Sequence, residues 1–233
     1  MSKLVFDIET IGENFDRLDK TTQESLTRWL KKESESEEVY KIALEDLKQG
    51  LGFSPLTGAI VAIGVLDVDK KAGAVYYQSP GRPEKDFDEN GITFRAMTES
   101  EMLQKFWEGA AKYQQFVSFN GRAFDAPFLL VRSAVHGVRP TVNLMPYRYA
   151  NDSPHLDLLD QLTFYGSVRK KGNLHLWSRV FGIKSPKAEG VTGEDVGKLF
   201  DDKRFLDIAR YNVGDLRATR ELYIYWEKYI RFN

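Results

Sequence analysis

The feature that most narrows the fold is a change of period within the first fifty residues. Lys3 to Ile8 is apolar and alternating, the pattern of a β-strand. From Gly12 to about Gly50 the character changes: Glu, Asp, Lys, Ser and Gln dominate. Apolar residues now return at helical spacing, as Leu26, Trp29 and Leu30, then Val39, Ile42, Ala43 and Leu47. This predicts two charged amphipathic helices inserted behind the first strand, joined through Ser34–Glu38 and closed by Gly52 to Pro55. A chain of this kind must build its sheet from strands on both sides of a helical excursion.

Downstream, Ile60 to Val68 and Ala74 to Gln78 read as a pair of strands turning at Asp69-Lys70-Lys71. Ser79 to Gly91, with two prolines and two glycines, reads as a loop. Thr98 followed three residues later by Glu101 forms a capping box for a helix through Tyr113. Phe116 to Phe119 is a short β run, and a helix starts near Ala126 with Pro127 in its first turn. Pro140 to Pro154 is irregular, and His155 to Leu162 fits strand or helix. Asn173 to Phe181 reads as a helix, Thr192 with Asp195 caps another through Phe200, and Lys203 to Tyr229 is the last long helix. Strands alternating with helices after an opening antiparallel pair predict a layered α/β domain. No internal repeat or low-complexity tract interrupts it.

Composition excludes some chemistry. The 233 residues contain no cysteine, so disulfides, zinc–thiolate sites and thiol nucleophiles are ruled out, and a cytoplasmic setting is expected. No apolar run approaches the roughly 18 residues of a membrane span, and no membrane partner is expected. Met1-Ser2-Lys3 runs straight into the first strand, so no signal or transit peptide is expected. A net charge of −1 argues against a uniformly basic nucleic-acid binder, while leaving room for a cleft whose own site is acidic.

Three segments stand out chemically. In Phe6-Asp7-Ile8-Glu9-Thr10, residues two apart on a strand share a face, so Asp7 and Glu9 project together while Leu4, Phe6 and Ile8 face the core. Such a pair of hard oxygens suits magnesium or manganese, although a strand end dipping into solvent looks the same. In Asn120-Gly121-Arg122-Ala123-Phe124-Asp125, Asn120 falls at a strand tip and Asp125 at a helix start, where a plain N-cap is the competing explanation. In Tyr211-Asn212-Val213-Gly214-Asp215, a spacing of four stacks Tyr211 and Asp215 on one helix face. There the competing explanation is a core aromatic at Tyr211 and an Asp215 paired with Arg217 or Arg220.

Taken together, the three segments resemble the DEDD exonuclease superfamily, and within it the proofreading domains of family B DNA polymerases and their stand-alone prokaryotic relatives. Phe6 to Thr10 matches the first motif of that group, Asn120 to Asp125 its N-x-x-x-F-D second, and Tyr211 to Asp215 its Y-x-x-x-D third. The histidine of the other DEDD subclass would fall at Arg210, so the tyrosine variant is indicated. Fainter likenesses run through Ser54-Pro55, Ile60 to Gly64, Leu156-Asp157-Leu158 and Gly190 to Gly193.

The resemblance implies a single ribonuclease-H-like α/β domain over residues 1–233, with the insertion at about 12–55. It implies a 3′–5′ exonuclease acting on single-stranded 3′ ends, DNA favoured, with two magnesium or manganese ions. Asp7, Glu9, Asp125 and Asp215 would hold the ions, Tyr211 would orient the attacking water, and Asn120 and Phe124 would meet the substrate. A role in DNA repair, with a replication or repair protein as partner, is compatible with this. The rivals are a ribonuclease-H-type endonuclease and a catalytically silent nucleic-acid-binding or scaffolding relative.

Other residues carry weaker signals. Asp157 reads first as a satisfied structural carboxylate, and His136, His155 and His175 share no ligand spacing. Arg169-Lys170-Lys171, continued by Arg179, Lys184 and Lys187, is the densest basic stretch. Phe53, Tyr147 and Tyr149 are candidate stacking surfaces for bases, with core packing as the default.

Overall fold

The computed structural model describes residues 1–82, 84–150, 153–184 and 193–232. Its first strand, β1 (Lys3–Gly12), runs longer than its apolar core predicts and continues past Glu9 to the insertion. The insertion holds α1 (Lys20–Glu33) and α2 (Glu37–Gly50), as the spacing predicts. Asp19 caps the first and Ser36 the second, each accepting a backbone N–H in the opening turn. A 3₁₀ turn, Leu51–Phe53, brings the chain back to the end of β1. There the Thr10 hydroxyl donates to Gly52 O at 2.6 Å. A Cβ on Gly52 would lie 3.0 Å from the backbone of Gly12, so two glycines let the strands of this neck touch.

Antiparallel β2 (Gly58–Asp67) and β3 (Gly73–Tyr77) follow. The segment 79–91 is not a plain loop. It contains β4 (Phe87–Glu89), paired antiparallel with β5 (Ile92–Ala96), neither of which the sequence reading anticipates. Their turn is Asn90-Gly91, with φ of 52° and 80°. Two successive left-handed residues of this type make the tight hairpin whose twist matches the strands.

Helix α3 (Glu99–Ala110) opens on the predicted Thr98/Glu101 capping box. Then come β6 (Gln115–Ser118), α4 (Asp125–Val135) and β7 (His155–Asp157). The ambiguous 155–162 segment is both things in turn, since α5 (Leu158–Leu162) starts where β7 stops. Helices α6 (Leu174–Val180), α7 (Val196–Asp201) and α8 (Phe205–Tyr229) complete the chain. Thr192 and Gly190 lie outside the described residues, and Asp195 precedes α7 without a side-chain capping bond.

Among the described residues, the seven strands form one sheet in the order β4-β5-β3-β2-β1-β6-β7. Strands β1, β6 and β7 run parallel, so their C-terminal ends share one edge. One face packs Val5, Val75 and Val117 against Ile208, Leu216 and Tyr223 of α8. The other packs Phe6, Ile8 and Ile63 against Phe106, Trp107 and Phe128 of α3 and α4. Because β2 is covered on both faces, its sequence is nearly continuous apolar rather than alternating.

A buried ion pair ties these layers. Glu99, 7% exposed, accepts from Ile60 N at 2.8 Å, from Arg132 Nε and Nη2 at 2.8 and 2.7 Å, and from His136 Nε2 at 2.8 Å. It thereby joins α3, β2 and α4 at the end of the sheet. Removing one member of such a buried pair leaves a charge without compensation, typically at a cost of about 3–5 kcal/mol. Glu99→Ala should lose stability on that scale in urea unfolding; a loss under about 1 kcal/mol would mean that water replaces the carboxylate there.

Candidate active site

Asp7 and Glu9 leave β1 on the α8 side, on the same face as Val5. Asp7 pairs across to Gly64 and Glu9 to Ala62, and the register shifts by a bulge directly after Glu9. That bulge bends the strand where its carboxylates project. Gly64 is required by what lies above it. A Cβ there would stand 1.9 Å from Asn212 Oδ1 and 2.7 Å from Leu216, so only glycine lets α8 come this close to the sheet. Seated in that gap, fully buried Asn212 donates from Nδ2 to Asp7 Oδ2 at 2.7 Å and to Glu9 Oε1 at 3.5 Å. One turn on, Asp215 faces the same point, and Asp7, Glu9 and Asp215 each offer an oxygen within 4.8 Å of the others.

Asp125 reaches the site from the opposite flank. It is the first residue of α4 rather than its cap; Phe124 holds the cap position and contributes no side-chain bond. Its Oδ1 accepts from Ile8 N at 3.0 Å, the peptide between Asp7 and Glu9. Asp125 therefore flanks the three-carboxylate cluster without sharing its 4.8 Å reach.

Asp157 is a different kind of carboxylate. It accepts from Asn120 N at 2.8 Å, Arg122 N at 3.0 Å and Leu159 N at 2.9 Å, and so fixes the loop that leads to Asp125. Asn120 is exposed at that loop's tip with φ 63°, a conformation asparagine tolerates better than most residues. Phe124 packs 5.1 Å from Phe128 and 6.4 Å from Phe53 of the insertion neck. His155 bridges Leu144 O and Ser118 Oγ, both at 2.7 Å. A carbonyl only accepts, so Nδ1 carries the proton and Nε2 accepts from the serine. Burial holds this imidazole down at about 4, as a structural residue.

The electrostatics follow from crowding. Burial, then the carboxylates of Asp125, Asp215 and Glu9, push Asp7 well above the ordinary range. Burial and Asp215 do the same to Glu9, partly offset by the Asn212 amide. Asp125 is pushed up to about 7 by burial, against the pull of the Ile8 N–H. Tyr211 lies beside Asp215. Burial, then Asp215, Glu9 and Asp7, drive its phenol far above the ordinary value. Arg210, where the histidine subclass would carry its base, points away to Glu89 Oε2 at 2.9 Å.

Residues 59–231 match the model of a family described as "Predicted 3'-5' exonuclease related to the exonuclease domain of PolB". The chain belongs to this exonuclease family. Asp125, Tyr211 and Asp215 fall within the matched residues, while Asp7 and Glu9 precede them. No curated protein matches the chain in sequence. Among solved structures, the family B DNA polymerase from the hyperthermophilic archaeon Pyrobaculum calidifontis superposes with a TM-score of 0.57 at 17% identity. The likeness covers 97% of this chain and 24% of the polymerase, and at that identity it speaks for the fold alone. The fold is the ribonuclease-H-like α/β arrangement expected, extended at one edge by the β4–β5 hairpin. Among the described residues, no helix is long and apolar enough to cross a membrane.

In this member of the exonuclease family, sequence reasoning missed Asn212. Its signal was available: Ile208, Asn212 and Leu216 recur every four residues on the buried face of α8, and a lone amide in an apolar stripe needs a polar partner. The guanidinium groups of Arg217 and Arg220, the competing partners for Asp215, bond Asn90 O and Val68 O.

Crowded carboxylates make a pH prediction. Groups whose folded pKa is raised contribute stability below the ordinary value, about 4, that is lost as pH rises through the folded one, about 7 for Asp125. Without metal, Asp7→Asn should therefore melt at or above wild type, and its advantage should widen from pH 5 to pH 8. Millimolar manganese should raise the melting temperature of wild type, through about 2.7 kcal/mol of added stability at a hundredfold excess over Kd, and that of the variant much less. A variant that melts lower at every pH and keeps the full manganese shift would contradict this.

Proposed function

We propose that the chain, acting as one exonuclease domain over residues 1–233, hydrolyses phosphodiester bonds stepwise from the 3′ end of single-stranded nucleic acid, DNA favoured. The observation that carries this reading is the convergence of Asp7, Glu9 and Asp215 within 4.8 Å, flanked by Asp125. Every donor is a carboxylate oxygen, which fits magnesium or manganese and no soft metal. Asp7, Glu9 and Asp215 would hold one ion, and Asp7 with Asp125 a second. Two such ions, when bound, stabilise the attacking and leaving oxygens of an in-line displacement at phosphorus.

In that reaction a water oxygen bonds to phosphorus and the bond to the 3′ oxygen of the penultimate nucleotide breaks. That oxygen ends protonated, leaving a shortened strand and a free 5′-nucleotide. Tyr211, whose phenol stays protonated in this acidic surrounding, serves as a hydrogen-bond donor that orients the attacking water and not as a base. Asn212 holds Asp7 and Glu9 in register with each other. Phe124, beside Phe53, offers an aromatic face to the terminal base, and exposed Asn120 a polar contact. The zero cysteine count suits a cytoplasmic enzyme.

A 5′-labelled single strand should give a descending ladder with magnesium or manganese and no products with chelator. Internal cuts on a circular single strand would instead make the protein an endonuclease. Tyr211→Phe should leave the fold and the manganese-dependent melting shift intact, while slowing single-turnover cleavage by up to about 100-fold, the low end for lost proton-transfer assistance. An unchanged rate would reduce Tyr211 to a packing residue.

A further inference from the structure

Four aromatic side chains stand in solvent at the β7 edge of the sheet, away from either core. Tyr147 is 74% exposed, Tyr149 57%, Phe164 55% and Tyr165 44%. They are not scattered: the Tyr149 ring lies 5.7 Å from Tyr147 and 5.1 Å from Tyr165. The default expectation of core packing for Tyr147 and Tyr149 is therefore wrong.

The backbone is strained to present them. Phe164 and Tyr165 have successive φ values of 49° and 55°, ahead of Gly166 at 99°. Left-handed conformations are uncommon outside glycine, and two aromatics in a row depart further from the rule. Burial does not explain the strain, because both rings face solvent. Strain of this kind gathers at binding sites that the surrounding structure holds in place. Here Tyr165 N bonds Asp160 O at 2.7 Å and Val168 N bonds Thr163 O at 3.0 Å, which fixes the turn.

Cations are built in beside the rings. Arg148, its side chain 45% exposed, is held by two hydrogen bonds to Asp160, one of them 2.9 Å long. Arg122 Nη2 bonds Pro146 O at 2.8 Å. This bond joins the tyrosine segment to the loop that, three residues later, delivers Asp125. Between them runs a groove of about 450 Å³ along β7, lined by Arg122, Arg148, Tyr149, Phe164, Tyr165 and Arg231 among others. Exposed Arg169, Lys170 and Lys171 continue the basic character past the strained turn. Among the described residues its two acids are engaged within the protein, Asp157 by backbone amides and Asp160 by Arg148.

We propose that this groove is a docking surface for single-stranded nucleic acid upstream of the end being cleaved, with Tyr149 and Tyr165 stacking on unpaired bases. The inference rests on the exonuclease reading above. Exposed rings paired with arginines also suit a protein partner. The cations flanking the rings, and the continuity with the Asp125 loop, favour a polyanionic strand.

The test uses the full chain, with fluorescence anisotropy and steady-state cleavage on 5′-labelled single strands of about 4 and about 16 nucleotides, a span set by typical single-strand footprints. Tyr149→Ala/Tyr165→Ala should weaken binding of the long strand roughly 10-fold or more, as expected for lost base stacking. Turnover of the short strand and the manganese melting shift should not change. Tyr149→Phe/Tyr165→Phe, which keeps the rings, should bind like wild type. Tyr149→Ala alone, which leaves the strained turn untouched, should give a smaller loss in the same direction. If the alanine pair degrades both lengths as wild type does, the groove is not a strand-docking surface, while the exonuclease reading stands. If it keeps long-strand affinity but changes the sedimentation of the protein, the rings serve a protein contact. Wild type that binds neither length overturns the groove and the exonuclease reading together.

Discussion

The site depends on one close contact between helix and sheet. Asn212 fits beneath Asp7 and Glu9 because Gly64 leaves a space that no other residue type would. The orientation of the amide follows from charge. Its N–H groups must face two carboxylates, which turns Oδ1 toward Gly64, where it has no hydrogen-bond partner. An orphaned buried acceptor costs about 1–3 kcal/mol. That cost is accepted in return for a donor placed between two groups that would otherwise only repel. The same seating of α8 sets the height of Tyr211, the residue before Asn212, and of Asp215, about one turn beyond it.

Two buried aspartates around β6 show how identical side chains take different work. Asp157 satisfies three backbone N–H groups and serves as the clamp of the Asn120–Asp125 loop. Asp125 satisfies one, from the strand that carries Asp7 and Glu9, and keeps its other oxygen for the site. Together with the bonds from Ala123 N to Asn120 O and from Ala126 N to Gly121 O, this clamp holds the left-handed turn at Asn120 from which α4 follows. The insertion closes the other side, its neck fixed by Thr10 and its Phe53 ring set beside Phe124.

Much of this was legible in the sequence because it is periodic. The alternation of β1 placed Asp7 and Glu9 together, and the spacing of four placed Tyr211 over Asp215. The cap of α3 announced itself through Thr98 and Glu101, whereas Asp19 and Ser36 emerge as the caps of α1 and α2 only in the structure. What escaped has physical reasons. The β4–β5 hairpin was masked by prolines and charges nearby, although Asn90-Gly91 is the strongest short-range hairpin signal. Taken alone Asp125 reads as a helix cap, because aspartate is favoured there; the three segments together assign it to the site, and tertiary contact with Ile8 turns it inward. Exposure of Tyr147 and Tyr149 could not be read, because an irregular segment has no period by which to tell inside from outside. Asn212 stood out as a lone amide in an apolar stripe, but its partners depend on a glycine 148 positions away that opens space for it.

Asp7, Glu9 and Asp215, flanked by Asp125, are the divalent-cation site proposed above, assembled by α8 on β1. The most direct measurement is manganese binding followed by electron paramagnetic resonance, without any nucleic acid. Wild type should bind two ions per chain, whereas Asp215→Asn, with an unchanged far-ultraviolet circular dichroism spectrum, should lose at least one of them. Wild type that leaves millimolar manganese free in solution, or an Asp215→Asn variant that binds it identically, would contradict the account.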